Sequence, residues 1–186
     1  MVSLAALWLP IVLAAVIVFI ASSILHMVLP YHRSDYKKLP DEDKVSGALR
    51  DAGVTPGFYM FPFSDHKQLK EPAMQEKFKR GPVGTVLIRP SGAINLGPYL
   101  VKWFVYCLVV GFFTAYVAAH TLAPGTNYLE VFRVVGTVAF MSYGLANLSN
   151  GIWKGQPAGM VIKEVIDGLI YGLLTAGTFG WLWPKM

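Results

Sequence analysis

The fold is decided by the last apolar stretch of the chain, Lys163-Glu-Val-Ile-Asp-Gly-Leu-Ile-Tyr-Gly-Leu-Leu-Thr-Ala-Gly-Thr-Phe-Gly-Trp-Leu-Trp183. In a soluble helix each glycine would cost about 1 kcal/mol relative to alanine. In lipid, small residues instead let two helix backbones approach closely. The stretch therefore predicts a transmembrane helix that packs tightly through its small residues. These recur four positions apart: Gly168, Gly172, Ala176 and Gly180.

The composition of the whole chain agrees with a membrane protein. Hydrophobic residues make up 54% of the 186 residues and charged residues only 15%. The apolar residues fall into four runs, each at least as long as the roughly 20 residues needed to cross a bilayer. We therefore expect four transmembrane helices: the first over 2–29, and the second to fourth within 99–183, over 99–122, 131–152 and 160–183.

The basic residues predict how these helices are oriented. Fourteen of the sixteen Lys and Arg residues lie in 31–102 and 153–163, which leaves only Arg133 and Lys185 for the other side. Lys and Arg near the ends of membrane spans are retained in the cytoplasm. We therefore expect both termini outside the cytoplasm. A short chain without transit signals favours a bacterial inner membrane.

The polar segment 31–97 predicts a small insert on the cytoplasmic side. Proline and glycine divide it into two short helices, beginning near Pro40 and over 71–80, and two strands, over 58–63 and 83–89. The predicted fold class is thus an all-α integral membrane protein. It has four transmembrane helices in an antiparallel bundle and a small α+β insert between helices 1 and 2.

The second apolar run carries small residues at the same spacing as the last run. Because both faces are suited to close packing, we expect the second and fourth transmembrane helices to contact each other. The residues concerned on the second helix are Gly111, Ala115 and Ala119.

A polar cluster is predicted at the cytoplasmic end of the last two spans. Lys163 and Asp167 are four residues apart and can meet on one helix face, while Glu164 and Asp167 share a neighbouring face. Asn147 and Asn150 could face the same region from the third span. Ionisable residues inside a membrane mark functional sites by default. Since these lie within about two turns of the boundary, we expect water to reach them. We interpret this cluster in one of two ways: its side chains pair with one another for structural reasons, or they form part of a proton or ion path.

The sequence contains no pattern typical of a cofactor or a catalytic centre. His26 and His120 lie near opposite ends of their spans and cannot ligate one haem, while His32 and His66 belong to the polar segment. Cys107 is the single cysteine, so a thiolate metal cluster is excluded. We therefore predict no catalytic residues, no metal site and no cofactor. The histidines are expected to serve packing or interfacial roles.

The expected partners follow from the charge and the packing faces. The net charge of +5 does not favour nucleic acid, because segment 31–97 has eleven basic against eight acidic residues. The predicted partners are the lipid bilayer and a protein partner or second copies of the chain. An accessory or structural subunit of a membrane complex is favoured. The alternatives are a small oligomeric transporter or channel, and a membrane-bound enzyme with its site at the inner interface.

The topology is testable by cysteine labelling in a Cys107→Ser background. Cysteines placed at Lys44 and Lys77 should resist a membrane-impermeant reagent added to intact cells, because both positions are expected inside. A cysteine at Asn127, in the outer connection, should react. If the first two positions were labelled and the third protected, the predicted orientation would be wrong.

Overall fold

A computed structural model describes residues 1–185. The chain divides into two compact units, one formed by residues 1–36 together with 95–185 and the other by residues 37–94, and each is described by itself. Within the described residues the helices are α1 Trp8–Ser23, α2 Glu42–Asp51, α3 Pro72–Arg80, α4 Gly97–Thr121, α5 Tyr128–Tyr143, α6 Leu148–Lys154 and α7 Ala158–Trp181. The strands are β1 Gly57–Phe61 and β2 Gly84–Ile88.

The first unit is a bundle in which α1, α4, α5 and α7 form a closed ring of neighbours. Helix α1 packs against α4 and α7, and α5 packs against the same two helices from the other side. Its core has a part rich in small residues around Leu7, Val131 and Phe179 and a more aromatic part around Tyr143 and Tyr171. The short connections force α4, α5 and α7 to run antiparallel in turn.

Three segments of the described chain are long and apolar enough to cross a membrane: Leu4–Val28, Gly97–Thr121 and Tyr128–Lys154. They support the predicted class of multi-pass membrane protein. Helix α7 is not among them, so the prediction of four spans is supported for three. The solvent-accessible face of α7 is nonetheless apolar, with exposed side chains at Ile162, Ile166, Leu169, Leu173 and Trp181.

The closest helix contact is made by α7 against the end of α5. A Cβ atom built on Gly168 would overlap the backbone N and Cα of Gly144. One turn further, a Cβ on Gly172 would lie 3.1 Å from the backbone N of Phe140. Further along, Ala176 packs against Gly136, and a Cβ on Gly180 would be 2.7 Å from the Tyr128 ring. The small-residue face of α7 is thus occupied by α5.

The expected contact between the second and fourth transmembrane helices is wrong. A Cβ on Gly111 would lie 3.3 Å from Ile11 of α1, and Ala115 and Ala119 are buried in the core that contains Leu7. The physical reason is that α5 already covers the glycine face of α7. Gly111 of α4 therefore packs against α1 instead, while Ala115 and Ala119 share a core with residues of all four helices.

The chain end after α7 is tied to the connection between α4 and α5. The backbone N–H of Gly125 donates to the carbonyl of Pro184 at 2.8 Å, and the indole N–H of Trp183 donates to the carbonyl of Ala123 at 3.0 Å. We call these two hydrogen bonds the terminal clasp. The clasp closes the end of the bundle where Val2 and Leu7 also pack against Trp183.

The second unit contains the two helices and two strands expected from the sequence. Asp41 caps α2 by accepting a hydrogen bond from the backbone N–H of Lys44 at 3.1 Å, as short polar residues do at helix N-termini. Strands β1 and β2 pair antiparallel, with Gly57 opposite Ile88 and Phe61 opposite Gly84. Whether this unit lies on the cytoplasmic side stays a prediction.

The close approach of α5 and α7 predicts a sharp difference between two glycines of one helix. Gly168→Ala should destabilise the protein by about 1–3 kcal/mol or more, the range typical of overpacking, because backbone atoms must move. Gly159→Ala is the matched control, since a Cβ there meets nothing within 4 Å. It should be neutral or slightly stabilising. Thermal unfolding in detergent measures both, and equal effects would contradict the packing described.

Candidate functional site

The end of α1 changes its helical geometry where the first histidine lies. Residues Ile24–Val28 form a π-helical turn, and Leu29 is then extended with φ −79° and ψ 144°. Pro30 explains this conformation, because the residue before a proline is pushed out of the helical region. Single π-helical turns inside helices often occur at functional sites.

The chain then folds back so that His32 lies on His26. Residues Pro30–His32 form a 3-10 turn, and the two imidazole rings stack with centroids 4.1 Å apart and an interplanar angle of 15°. Nδ1 of His26 lies 3.1 Å from the carbonyl oxygen of Ser22. Nδ1 of His32 lies 2.6 Å from Oδ2 of Asp35. In both rings Nδ1 therefore lies beside a hydrogen-bond acceptor, and Nε2 is left free of that acceptor.

Lys163 of α7 holds the segment that contains His32. Its Nζ donates to Oδ1 of Asp35 at 2.6 Å, to Oγ of Ser34 at 2.8 Å and to the carbonyl of Tyr31 at 2.8 Å. The hydrogen bond from Lys163 lowers the pKa of Asp35, His32 lowers it further, and burial opposes both. The stabilisation from this pair is therefore present above the ordinary aspartate pKa of about 3.9. It is lost only as the pH falls through the lowered value.

Asp167, one turn further along α7, is a buried carboxyl group beside both histidines. Its side chain is 4% exposed, and its Oδ2 lies 2.8 Å from Nε2 of His32 and 3.9 Å from Nε2 of His26. The 2.8 Å contact is close but lies off the N–H axis, and among residues 1–185 neither carboxylate oxygen has a well-directed hydrogen bond. A buried carboxylate without donors is costly, so this position calls for a cationic or hydrogen-bonding neighbour.

A cavity of about 630 Å³ adjoins Asp167. It lies between the end of α1, the start of α4, the end of α5 and the first half of α7. Asp167, Glu164 and Tyr171 lie at its polar end, which we call the cavity floor. Oε2 of Glu164 and the hydroxyl of Tyr171 are also buried without a hydrogen-bond partner in the described part of the chain. Aromatic side chains make up much of the remaining wall: Tyr99, Trp103, Tyr106 and Tyr143.

The structure brings some of the predicted cluster together and separates the rest. Asn147, Glu164 and Asp167 all line the cavity, whereas Asn150 does not line it. Oε1 of Glu164 accepts from Gln156 at 2.6 Å, and Asn147 donates to the carbonyl of Tyr143. Both side chains therefore already make hydrogen bonds within the protein.

The structure departs from the sequence analysis at two residues of the cluster. The spacing allows Lys163 to meet Asp167 along α7, but across the described residues its ion pair is with Asp35, because the 3-10 turn brings that carboxylate within reach. Asp167 was expected to be reached by water, but its residue is only 3% exposed. The reason is that Asp167 precedes Gly168, where α7 is pressed against α5.

Sequence reasoning missed His26, His32 and Asp35 as parts of one site. The structure places ligand atoms of His26, His32 and Asp167 within 4.8 Å of one another, so these three residues could hold a metal ion. The available signal was Pro30, which breaks the helix between the two histidines. In an unbroken helix, positions six residues apart differ by about 240° around the axis.

Comparisons of this chain with protein-family models, with curated proteins and with solved structures find no match. The site therefore has to be interpreted from its own geometry.

The pair of Lys163 and Asp35 gives a testable energetic prediction. Lys163→Met should lower the free energy of unfolding by about 3–5 kcal/mol, because it leaves a buried carboxylate without its cation. The double variant with Asp35→Asn should recover part of that loss. Lys79→Met is the control, since the exposed pair with Glu76 should contribute at most about 1 kcal/mol. Denaturant unfolding in detergent measures all four proteins, and similar losses in both lysine variants would contradict the described network.

Proposed function

We propose that this protein is a multi-pass membrane protein that binds a small amphiphilic molecule in the cavity beside Asp167. The ligand has an apolar body and a polar group that donates hydrogen bonds, such as an amine or a hydroxyl. The observation that carries the proposal is the buried Asp167 carboxylate, which has no well-directed hydrogen bond in the described chain and lines an open cavity.

The chemistry of the cavity floor selects the polar group of the ligand. Both oxygens of Asp167 and Oε2 of Glu164 are acceptors without a well-directed hydrogen bond among the described residues. An ammonium or hydroxyl group supplies the missing hydrogen bonds, whereas a carboxylate would add a like charge. The Tyr171 hydroxyl can donate or accept and so suits either headgroup.

The cavity wall selects the apolar body. The indole N–H of Trp103 donates to Ser22 at 2.8 Å, and the hydroxyl of Tyr106 donates to the carbonyl of Ser142 at 2.9 Å. Because these polar atoms are already bonded within the protein, the wall presents mainly ring faces and aliphatic groups. A volume of about 630 Å³ is within the usual range for small-molecule sites.

The membrane position of α7 is part of this proposal. We propose that α7 is a fourth span, antiparallel to α5, with both ends of the chain on the side opposite the cavity. The apolar exposed face of α7 supports a lipid environment, since a helix facing water would carry polar residues there. The terminal clasp supports the same arrangement.

The geometry favours a ligand-binding role over a purely structural one. An accessory subunit was favoured because of the small-residue packing faces, but those of α4 and α7 are used in contacts within the chain. A partner or homo-oligomer therefore stays a prediction without further support. A cavity with a charged floor suits either of the alternatives, a transporter or a membrane-bound enzyme.

Binding can be measured by the quenching of Trp103 fluorescence in the purified protein in detergent. Background from the exposed tryptophans is removed by replacement with Phe at Trp8, Trp153 and Trp181, which leaves Trp103 and the buried Trp183 as the emitters. The probes are 10-bromodecylamine, 10-bromodecanol and 10-bromodecanoate, whose bromine quenches tryptophan on contact. The amine and the alcohol should quench saturably. The carboxylate should show only the linear quenching of micelle partition.

Three variants distinguish binding in the cavity from partition into detergent. Asp167→Asn should weaken the amine by about ten- to a hundredfold, as expected for loss of a charged hydrogen bond. Ala146→Phe, which fills the cavity, should abolish saturation. Leu169→Phe, on the exposed face of α7, is the size-matched control and should bind normally. Identical quenching in all four proteins would refute the cavity as a binding site.

A further inference from the structure

We propose that His26, His32 and Asp167 form a binding site for a divalent transition-metal ion of the zinc or cobalt type. The ligands are Nε2 of each histidine and the carboxylate of Asp167, whose ligand atoms all lie within 4.8 Å of one another. Two ligands on a tetrahedral zinc ion lie about 3.3 Å apart, given bond lengths near 2.0–2.1 Å. The observed separations of 2.8 and 3.9 Å from Asp167 Oδ2 fall on either side of that value.

The hydrogen-bond partners of both Nδ1 atoms are of the kind that supports metal ligation through Nε2. A ligating histidine normally donates its other ring N–H to a carboxylate or a backbone carbonyl, which fixes the tautomer. Here Nδ1 of His32 lies 2.6 Å from Asp35, and Nδ1 of His26 lies 3.1 Å from the carbonyl of Ser22. In their neutral forms both rings therefore keep the Nε2 lone pair free, and both Nε2 atoms lie on the side of Asp167.

Asp167, the third ligand, has no lysine or arginine partner among the described residues. The Asp167 side chain is 4% exposed, and neither of its oxygens has a well-directed hydrogen bond among residues 1–185. Asp35 differs, because it is paired with Lys163 at 2.6 Å. Of the two carboxylates here, Asp167 is therefore the one available to a bound cation.

Metal binding requires one ring to turn. The imidazoles are stacked with an interplanar angle of 15°, so their lone pairs run side by side instead of converging on one point. His32 is held by Asp35 and is 12% exposed, whereas the His26 side chain is 49% exposed and has room to rotate. Metal binding therefore requires a small turn of the His26 ring that keeps Nδ1 within reach of the Ser22 carbonyl.

The donor set selects the class of metal. Two imidazoles and one carboxylate suit zinc, cobalt, nickel or iron(II), whereas calcium and magnesium prefer oxygen ligands alone. Three protein ligands leave a coordination position open, as in catalytic zinc sites. His26 and Asp167 also line the cavity, so a bound metal ion and an ammonium headgroup would compete for the Asp167 carboxylate. This last point alone rests on the proposed function; the metal site does not depend on it.

The test is cobalt binding by the full-length protein in detergent, carrying an affinity tag without histidine. After treatment with a chelator, the wild type should bind one Co²⁺ per chain, seen as visible d–d absorption, and zinc should displace it. Zinc should also raise the thermal unfolding temperature of the wild type. Absence of stoichiometric binding would overturn the proposal.

Variants assign the ligands. His26→Ala should abolish stoichiometric Co²⁺ binding without unfolding the protein, because this side chain is half exposed. Asp167→Asn should do the same, and Asp35→Asn should weaken binding by about 10–100-fold, as for other groups behind a ligating histidine. His66→Ala and His120→Ala are controls that should bind normally. Unchanged binding in His26→Ala would refute the site. Cobalt binding without saturable quenching by the bromo-amphiphiles would reject the proposed function and leave the metal site standing.

Discussion

The rest of the structure depends on the close backbone contact between α5 and α7. No side chain larger than hydrogen fits between Gly144 and Gly168, so the two helices meet with their main chains. This contact fixes the rotation of α7 about its axis. Asp167, the residue before Gly168, is consequently buried, and Lys163, one turn earlier, reaches the segment after α1. Small residues thus determine where the charged ones lie.

Only one of the two carboxyl groups at the site has a lysine partner within the described residues. Lys163 compensates Asp35 at 2.6 Å, and His32 bridges from Asp35 towards Asp167. Asp35 therefore serves to orient the histidine, while the Asp167 carboxyl lines the cavity without a lysine partner among the described residues. In a medium that hydrates poorly, such an imbalance is expensive to maintain. Its presence is the main reason to regard this end of the bundle as the functional one.

The sequence is informative where a pattern is local. The recurring glycines predict a close helix contact, and proline and glycine mark the helices and strands of residues 37–94. A small-residue face specifies proximity but not its partner, which is why α4 was expected against α7 and lies against α1. His26 and His32 come together only because the helix is interrupted before Pro30. The pairing of Asp35 with Lys163 joins residues 128 positions apart, beyond the reach of any spacing rule.

Helix α7 is fastened close to both of its ends. It has 24 residues and is therefore about 36 Å long. The terminal clasp holds the chain just after α7, and Lys163, near the start of α7, donates three hydrogen bonds to residues 31–35. Membrane helices adapt to bilayer thickness by tilting. As the proposed fourth span, α7 could tilt only by straining one of these two attachments, so we expect the cavity that it lines to keep its width when the lipid changes.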